Sequence, residues 1–146
     1  MIRNAAVGEA ASLVAAYQWL FAPPGSVPPS WDPEQATARL IRAFHSENAE
    51  VFVAGERDEV VGLCTVYLDL ESVRFGQRAW VEDLAVAPEA RTLGHGKALL
   101  DAAKDWARDN GASHLELDSG EARADAHRFY ERESPSWRSI CFGWEL

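Results

Sequence analysis

Hydrophobic and polar residues alternate along the chain with two different periods, and each change of period marks a new predicted element. Apolar residues recur at helical spacing from residue 7 to about residue 21, which predicts an amphipathic helix after a short edge strand at residues 1–5. Four of the seven prolines lie in the following loop, residues 23–31, and they cannot continue that helix. Asp32 as N-cap and Pro33 at the first helical position then start a second helix, which runs to about residue 46.

A period of two residues, typical of strands, replaces the helical period in the middle of the chain. Residues 51–54 and 60–70 are predicted to be the two strands of a hairpin, with the turn at residues 55–59. A further strand covers about residues 78–86, and Pro88 ends it. The middle of the chain is therefore predicted to build most of a sheet.

Helices and strands alternate in the last third of the chain. A loop with two glycines leads into a helix at residues 97–110, and Gly111 ends that helix as a left-handed cap. A short strand at residues 113–117 and a helix at residues 122–132 follow. Apolar residues alternate with small or polar ones over residues 138–146, which predicts that the chain closes on a strand.

Composition places the chain among packed globular proteins. Hydrophobic residues make up 47% of its 146 residues, so residues 1–146 are predicted to form a single domain. The formal net charge of −9 argues against nucleic-acid binding and, if the charge is used, favours a cationic small partner. The sequence shows neither a signal peptide pattern nor a membrane-spanning run, so a membrane partner is not expected. Cys64 and Cys141 are interpreted as reduced core residues of a cytoplasmic protein.

The loop before the helix at residues 97–110 contains Gly94 and Gly96. A strand, a glycine loop and a helix N-terminus in succession form an anion site, because backbone N–H groups and the helix dipole point at the ligand. A phosphate is the expected ligand, but the glycine spacing fits neither the P-loop nor the dinucleotide fingerprint, which needs a glycine where Leu99 stands. On the spacing alone, an ordinary strand-to-helix turn is the alternative.

Two segments of the chain match the motifs of a known family. The run Val81-Glu82-Asp83-Leu84-Ala85-Val86-Ala87-Pro88, followed by Arg91-x-x-Gly94-x-Gly96-Lys97-Ala98-Leu99-Leu100, resembles the acetyl-CoA signature of the GNAT family of N-acetyltransferases. The family's helix that ends in a tyrosine beside the thioester sulfur resembles Arg123-x-Asp125-Ala126-His127-Arg128-Phe129-Tyr130-Glu131. The resemblance implies an α/β (α+β) fold with a mixed, mostly antiparallel central sheet of six to seven strands. Helices would cover both faces, and the sheet would splay at the acetyl-CoA-binding strand.

The resemblance also implies how acetyl-CoA, as a cosubstrate, is bound. The pyrophosphate would lie on backbone N–H groups of the glycine loop, and backbone atoms of Leu84 and Val86 would pair with the pantetheine arm like an added strand. The chain departs from the family at Ser134-Pro135, where Gly-Phe is common, and Trp137 is a candidate for the missing aromatic packing. The residues expected to bind acetyl-CoA are Leu84, Ala85, Val86, Arg91, Thr92, Leu93, Gly94, His95, Gly96, Lys97 and Ala98.

Acetyl transfer to an amine needs a base that removes a proton and a donor that stabilises the departing thiolate. Tyr130 is the candidate acid that donates a proton to the departing sulfur, and a plain core role is its alternative. Glu82 and Asp83 are the candidate bases. As neighbours on a strand they are expected to point to opposite faces, so that one of them enters an apolar layer and has a raised pKa. Glu82 is preferred because the family often places an acid there, Asp83 is second, and an exposed charge or ion pair is the alternative.

The acceptor is expected to contact the first two helices and the proline loop. Trp19, Phe21 and Trp31 are the candidate substrate-binding residues, and together with nearby carboxylates they would suit a cationic amine. Aromatic residues beside a turn more often only pack, which is the alternative. No metal site is expected, because the histidines and cysteines lack metal-ligand spacing.

The leading hypothesis is an acetyl-CoA-dependent N-acetyltransferase that acts on a small-molecule or peptide amine, either as a monomer or as a homodimer. A non-catalytic acyl-CoA-binding regulatory module on the same fold is the main alternative, because a fold does not determine turnover. A phosphate-binding module unrelated to CoA is the third hypothesis. Release of free thiol that depends on an amine acceptor separates the enzyme from both.

Overall fold

A five-stranded sheet with helices on both faces makes up the computed structural model, which describes residues 1–56 and 58–146. The predicted hairpin turn at residues 55–59 includes Arg57, which lies outside the described residues. Short 3₁₀ turns occupy Val7–Glu9 and Pro88–Ala90. In chain order the helices and strands are β1 (Ile2–Asn4), α1 (Ala10–Ala16), α2 (Gln18–Phe21), α3 (Pro33–Phe44), β2 (Ala49–Glu56), β3 (Glu59–Ser72), β4 (Gly76–Val86), α4 (His95–Asp109), β5 (His114–Glu116) and α5 (Ala124–Arg132).

The strands lie side by side in the order in which they occur along the chain, from β1 to β5. The first four strands pair as antiparallel neighbours, and β5 runs parallel to β4. The prediction of a mixed, mostly antiparallel sheet with helices on both faces is therefore confirmed. The predicted number of six to seven strands is wrong, because the described residues form five.

Two clusters of buried side chains, one on each face of the sheet, hold the helices in place. Successive residues of a strand point to opposite faces, so Leu63 of β3 packs with α1 and α3, whereas Cys64 packs with α4. Leu13 of α1 is 1% exposed, and Leu99 of α4 is completely buried. Burial of one such leucine stabilises the fold by about 1.5–3 kcal/mol. The middle of β3 and β4 is thus covered on both faces.

The helix ends follow the local chemistry of the sequence at most positions. The Asp32 carboxylate accepts a hydrogen bond from the Glu34 N–H at 3.0 Å, which confirms the predicted cap of α3. Gly111 has φ +82°, which confirms the left-handed end of α4. The first predicted helix is not continuous: it breaks between α1 and α2 at Tyr17, whose N–H bonds to the Val14 carbonyl at 3.1 Å. This break directs Tyr17 toward the sheet, as described below.

The predicted last strand at residues 138–146 is wrong. Ser134 has φ +55° and Pro135 lacks an N–H group, and the segment that follows forms no strand, although the Trp137 ring lies 5.9 Å from the His114 ring of β5. Phe142 and Trp144 remain 75% and 82% exposed. Cys141 is exposed as well, so only Cys64 fulfils the expectation of a buried cysteine. No helix in the described part of the chain has the length and apolar character needed to cross a membrane.

Candidate active site

Strand β4 is paired along its whole length with β3 but only at its beginning with β5. The parallel pairs with β5 involve Arg78, Ala79 and Trp80 of β4, and none of the later residues of β4 pairs with β5 in the described structure. The edge of β4 from Val81 to Val86 is therefore open on that side. This opening confirms the predicted splay of the sheet, and unpaired backbone groups at such an edge are available to a ligand that carries amides.

A β-bulge at the start of the opening places both candidate bases on the same face of the sheet. Thr65 pairs with Asp83, and Tyr67 pairs with Trp80, so two steps along β3 correspond to three steps along β4. The extra residue in β4 is Glu82, because Val66 pairs with Val81. The sequence-based expectation that Glu82 and Asp83 point to opposite faces is wrong, because strict alternation does not hold across a bulge.

Asp83 lies on the face covered by α1 and α3, where its carboxylate is half-buried. The Tyr17 hydroxyl donates a hydrogen bond to the Asp83 Oδ2 atom at 2.7 Å. The backbone N–H of Asp83 donates to the Thr65 hydroxyl at 3.1 Å. Burial raises the pKa of the Asp83 carboxyl, the hydrogen bond from Tyr17 opposes that rise, and the neighbouring charge of Glu82 adds to it. Asp83 is therefore the more basic kind of carboxylate that was expected on this strand.

Glu82 is exposed, in contrast to Asp83. Its Oε2 accepts hydrogen bonds from the Trp80 indole at 3.1 Å and from the Tyr67 hydroxyl at 3.3 Å. The carboxylate thus stands over the face that Tyr67 and Trp80 share, a short distance from Asp83. The family resemblance favours Glu82 as the base, whereas the structure buries Asp83 and leaves Glu82 exposed.

The glycine loop forms the predicted strand-to-helix turn. Gly94, the N-cap of α4, has φ +88°, and Thr92 is also left-handed at φ +65°. Backbone N–H groups from Leu93 to Lys97 have no backbone partner among the described residues, whereas the Ala98 N–H bonds to the Gly94 carbonyl at 3.0 Å. Ala98 therefore does not contribute a free donor, which corrects the predicted phosphate-binding set.

Side chains of the loop are engaged with their surroundings. The Arg91 guanidinium donates to the Val86 carbonyl at 3.2 Å, which ties the loop to the end of β4. The Lys97 ammonium lies 2.8 Å from Asp101 and 3.4 Å from Glu133. His95, at the beginning of α4, is half-buried. The free groups of this loop are thus mainly backbone N–H groups.

Helix α5 brings Tyr130 to the other face of the same opening. The Phe129 ring packs against the beginning of α4, where it would lie 3.5 Å from a Cβ atom added to Gly96. Burial raises the pKa of the half-buried Tyr130 hydroxyl to about 12, the nearby Cys64 thiol adds to this rise, and Arg123 opposes it. Cys64 pairs with Leu84 of the open strand, so Tyr130 lies close to the middle of the opening. No described residue hydrogen-bonds the Tyr130 hydroxyl.

The aromatic residues near the proline loop do form a cluster, but its members differ from those predicted. Phe21 and Trp31 are in edge-to-face contact at 4.7 Å between ring centroids. Tyr17 stacks on Trp31 at 5.7 Å, and Trp19 instead packs at the edge of the core between α1 and α3. Tyr17 could not be singled out from the sequence, because its position fits the apolar stripe of a continuous helix. The break between α1 and α2 is the feature that sets Tyr17 apart, and it is visible only in the structure.

The described residues contain no group of three or more His, Cys, Asp or Glu side chains that could hold a metal ion. The ionisable groups around the opening are instead Asp83, Glu82 and Tyr17 on one face, and Tyr130 and Cys64 on the other. The site can therefore accept a proton on one side and donate a hydrogen bond on the other.

Comparison with known proteins identifies the family. Residues 13–134 match the family described as the acetyltransferase (GNAT) family. The uncharacterized N-acetyltransferase YhdJ of Bacillus subtilis (strain 168) is 38% identical over 99 residues, which cover 68% of this chain and 69% of YhdJ. The chain belongs to the GNAT family. The resemblance inferred from the two sequence motifs is thereby confirmed, and acetyl transfer is the general reaction of this chain.

Solved structures of other GNAT proteins share the architecture. An aminoglycoside N-acetyltransferase in complex with CoA has a TM-score of 0.84 at 13% identity, covering 100% of this chain and 93% of that one. An aminoglycoside acetyltransferase from an uncultured soil metagenomic sample, in complex with sisomicin, has a TM-score of 0.75 at 22% identity, with 100% and 95% covered. At these identities the likeness shows the GNAT fold alone.

Proposed function

We propose that residues 1–146 form one acetyltransferase domain that transfers the acetyl group of acetyl-CoA directly to a primary amine of a small molecule or peptide. The observation that carries this proposal is the opening between β4 and β5. Asp83 lies on one face of the opening, and Tyr130 lies on the other face, close to Cys64. A thioester in this opening would thus be accessible to an amine from the α1 side and to a hydrogen-bond donor from the α5 side.

The fit of acetyl-CoA follows from the free backbone groups. The N–H groups from Leu93 to Lys97, at the N-terminus of the 15-residue helix α4, suit the pyrophosphate. The open edge of β4 around Leu84 suits the amides of the pantetheine arm. When bound, acetyl-CoA supplies the activated acetyl group and a thiolate leaving group.

Asp83 is better suited than Glu82 to act as the base. An amine similar to lysine has a pKa near ~10.4 in water and must lose a proton before it attacks. Asp83 has a raised pKa because it is half-buried, and its Oδ1 is not engaged by any described side chain, so it can accept that proton directly or through water. Exposed Glu82 would then attract the ammonium group of the acceptor toward Asp83.

Tyr130 would stabilise the departing thiolate. Its pKa of about 12 keeps the hydroxyl protonated at neutral pH, so it is available as a donor. A thiol normally has a pKa near ~8.5, so, in place of the full proton donation expected from the sequence, the proton stays on the tyrosine oxygen and the thiolate receives a hydrogen bond. A donor of this kind, aimed at developing negative charge, contributes about 10²–10³ to kcat.

A cationic amine is the acceptor class that the site favours. The chain carries a net charge of −9, and the aromatic cluster of Tyr17, Phe21 and Trp31 lies beside the Asp83 face. Aromatic faces and carboxylates together attract cations. Two of the structural neighbours are named as aminoglycoside acetyltransferases, and a relative 41% identical over 58 residues is named streptothricin acetyltransferase.

The test is the release of free CoA thiol from acetyl-CoA in the presence of an aminoglycoside or polyamine, a neutral aromatic amine and an acidic amino acid. We expect the cation to have the highest kcat/KM at low salt. This advantage should shrink at high salt, because the Debye length falls from about 30 Å at 0.01 M to about 3 Å at 1 M. If none of the amines in the panel causes thiol release, the proposed function is contradicted. Acetyl-CoA binding without turnover would then support a regulatory module instead.

A further inference from the structure

The carboxylate of Asp83 has one side-chain donor among the described residues, the hydroxyl of Tyr17. The Tyr17 Oη and Asp83 Oδ2 atoms lie 2.7 Å apart, although the two residues are 66 positions apart in the sequence. A distance of 2.7 Å is typical of a strong hydrogen bond from a hydroxyl to a charged oxygen. Because Oδ2 is the atom engaged, Oδ1 is left for an incoming amine.

The fold holds the Tyr17 ring independently of this hydrogen bond. Tyr17 occupies the break between α1 and α2, where its φ and ψ of −61° and −19° direct the side chain toward β4. Its ring stacks on Trp31 at 5.7 Å with an interplanar angle of 24°, and it contacts Phe21 at 6.3 Å. Loss of the hydroxyl alone would therefore leave the ring packing in place.

The Tyr17 hydroxyl counteracts the other influences on the protonation state of Asp83. The titratable groups that act on Asp83 or respond to it are Tyr17 from the helix break, Glu82 from its own strand and Cys64 from β3. Burial and Glu82 both favour the protonated carboxyl, and Tyr17 is the group that favours the carboxylate. A hydrogen bond to the charged form lowers a carboxyl pKa, which keeps the base deprotonated at neutral pH.

We propose that Tyr17 is the positioning residue of this acetyltransferase: it orients the Asp83 carboxylate toward the acceptor amine and keeps it in its ionised form. The inference rests on the proposed function, in which Asp83 is the base. The inference gives the aromatic cluster a role in the reaction, because Trp31, at the end of the proline loop, stacks on the Tyr17 ring, and the Tyr17 hydroxyl hydrogen-bonds Asp83. Tyr17 itself transfers no proton to the substrate.

The test compares Tyr17→Phe with the matched variant Tyr67→Phe, which removes the hydroxyl that hydrogen-bonds Glu82 at 3.3 Å. The kcat/KM of each is measured against pH with the best amine of the panel. In parallel, ¹³C NMR follows the titration of the Asp83 carboxyl in the protein without substrate. For Tyr17→Phe we expect the acidic limb of the profile and the NMR midpoint to move to higher pH together, by about 1–2 units. For Tyr67→Phe we expect neither to move.

Three results would overturn the inference. An unchanged NMR midpoint in Tyr17→Phe shows that the hydroxyl does not influence Asp83. An acidic limb that moves in Tyr67→Phe but not in Tyr17→Phe assigns the base to Glu82. A uniform loss of kcat/KM in Tyr17→Phe at all pH values indicates a structural role. If the wild-type protein turns over no amine, the proposed function fails, and the NMR midpoint then decides alone whether Tyr17 controls Asp83.

Discussion

Alanine at two nearby glycines, Gly94 at the N-cap of α4 and Gly96 in its first turn, should change the stability of the protein in opposite directions. Gly94 has φ +88° and nothing lies within 4 Å of an added Cβ atom, so Gly94→Ala meets no steric obstacle and suffers only from the left-handed backbone. That conformation costs an L-residue about 1–2 kcal/mol. A Cβ atom at Gly96 would lie 3.5 Å from the Phe129 ring and 3.9 Å from Val86, which is ordinary van der Waals contact in a helical backbone. Gly96→Ala should therefore stabilise the protein by about 0.4–1 kcal/mol.

Urea denaturation measures this difference, and Gly111→Ala is the matched control. Gly111 has φ +82° and equally open space, but it lies at the far end of α4 from the loop. We expect Gly94→Ala and Gly111→Ala to lower the free energy of unfolding by similar amounts, while Gly94→Ala alone weakens acetyl-CoA binding in calorimetry. If Gly96→Ala destabilises as much as Gly94→Ala, the backbone argument is refuted. If Gly111→Ala weakens acetyl-CoA binding equally, the phosphate site is not at the loop.

Three further variants test the remaining parts of the site. Gly96→Glu should weaken acetyl-CoA binding at least about 10-fold more than Gly96→Gln of similar size, because only the carboxylate repels the pyrophosphate; equal Kd values would contradict this. Tyr130→Phe should lower kcat by about 10²–10³ with little change in acetyl-CoA affinity, and normal turnover would make Tyr130 a core residue. Asp83 has a raised pKa in the folded protein, so its stabilising contribution is complete below the unfolded pKa near ~3.9 and is lost as the pH rises through the folded pKa. Asp83→Asn should therefore raise Tm at pH 7 by a few degrees, on the order of 3 °C per pKa unit, and leave it unchanged near pH 3; a lower Tm at pH 7 would show that the charge stabilises the fold.

Local chemistry determined those features that depend on neighbours in the sequence. The cap of α3 at Asp32 and the left-handed end of α4 at Gly111 were predictable because a helix end needs a specific side chain or backbone conformation. The glycine loop before α4 was predictable for the same reason, and together with the Tyr130 helix it pointed to the GNAT family.

The predicted last strand shows the limit of a pattern. Alternation over residues 138–146 describes which side chains would share a face, but a strand also needs a backbone partner. After Ser134 and Pro135 the chain comes back beside β5, where the Trp137 and His114 rings lie 5.9 Å apart, but no backbone pairing with β5 forms in this segment of the described structure. A sequence pattern cannot show whether a neighbouring edge is met in a register that allows backbone hydrogen bonds.

The family motifs, the residue types of the site and most of the helices and strands could be read from the sequence alone. Which of these residues come into contact depends on strand register and on packing between distant segments. The bulge at Glu82 depends on the register between β3 and β4, and it puts Glu82 and Asp83 on one face although strict alternation separates them. The contact of Tyr17 with Asp83 joins a helix break to a strand 66 positions later, and such a contact results from packing across the sheet rather than from any local preference.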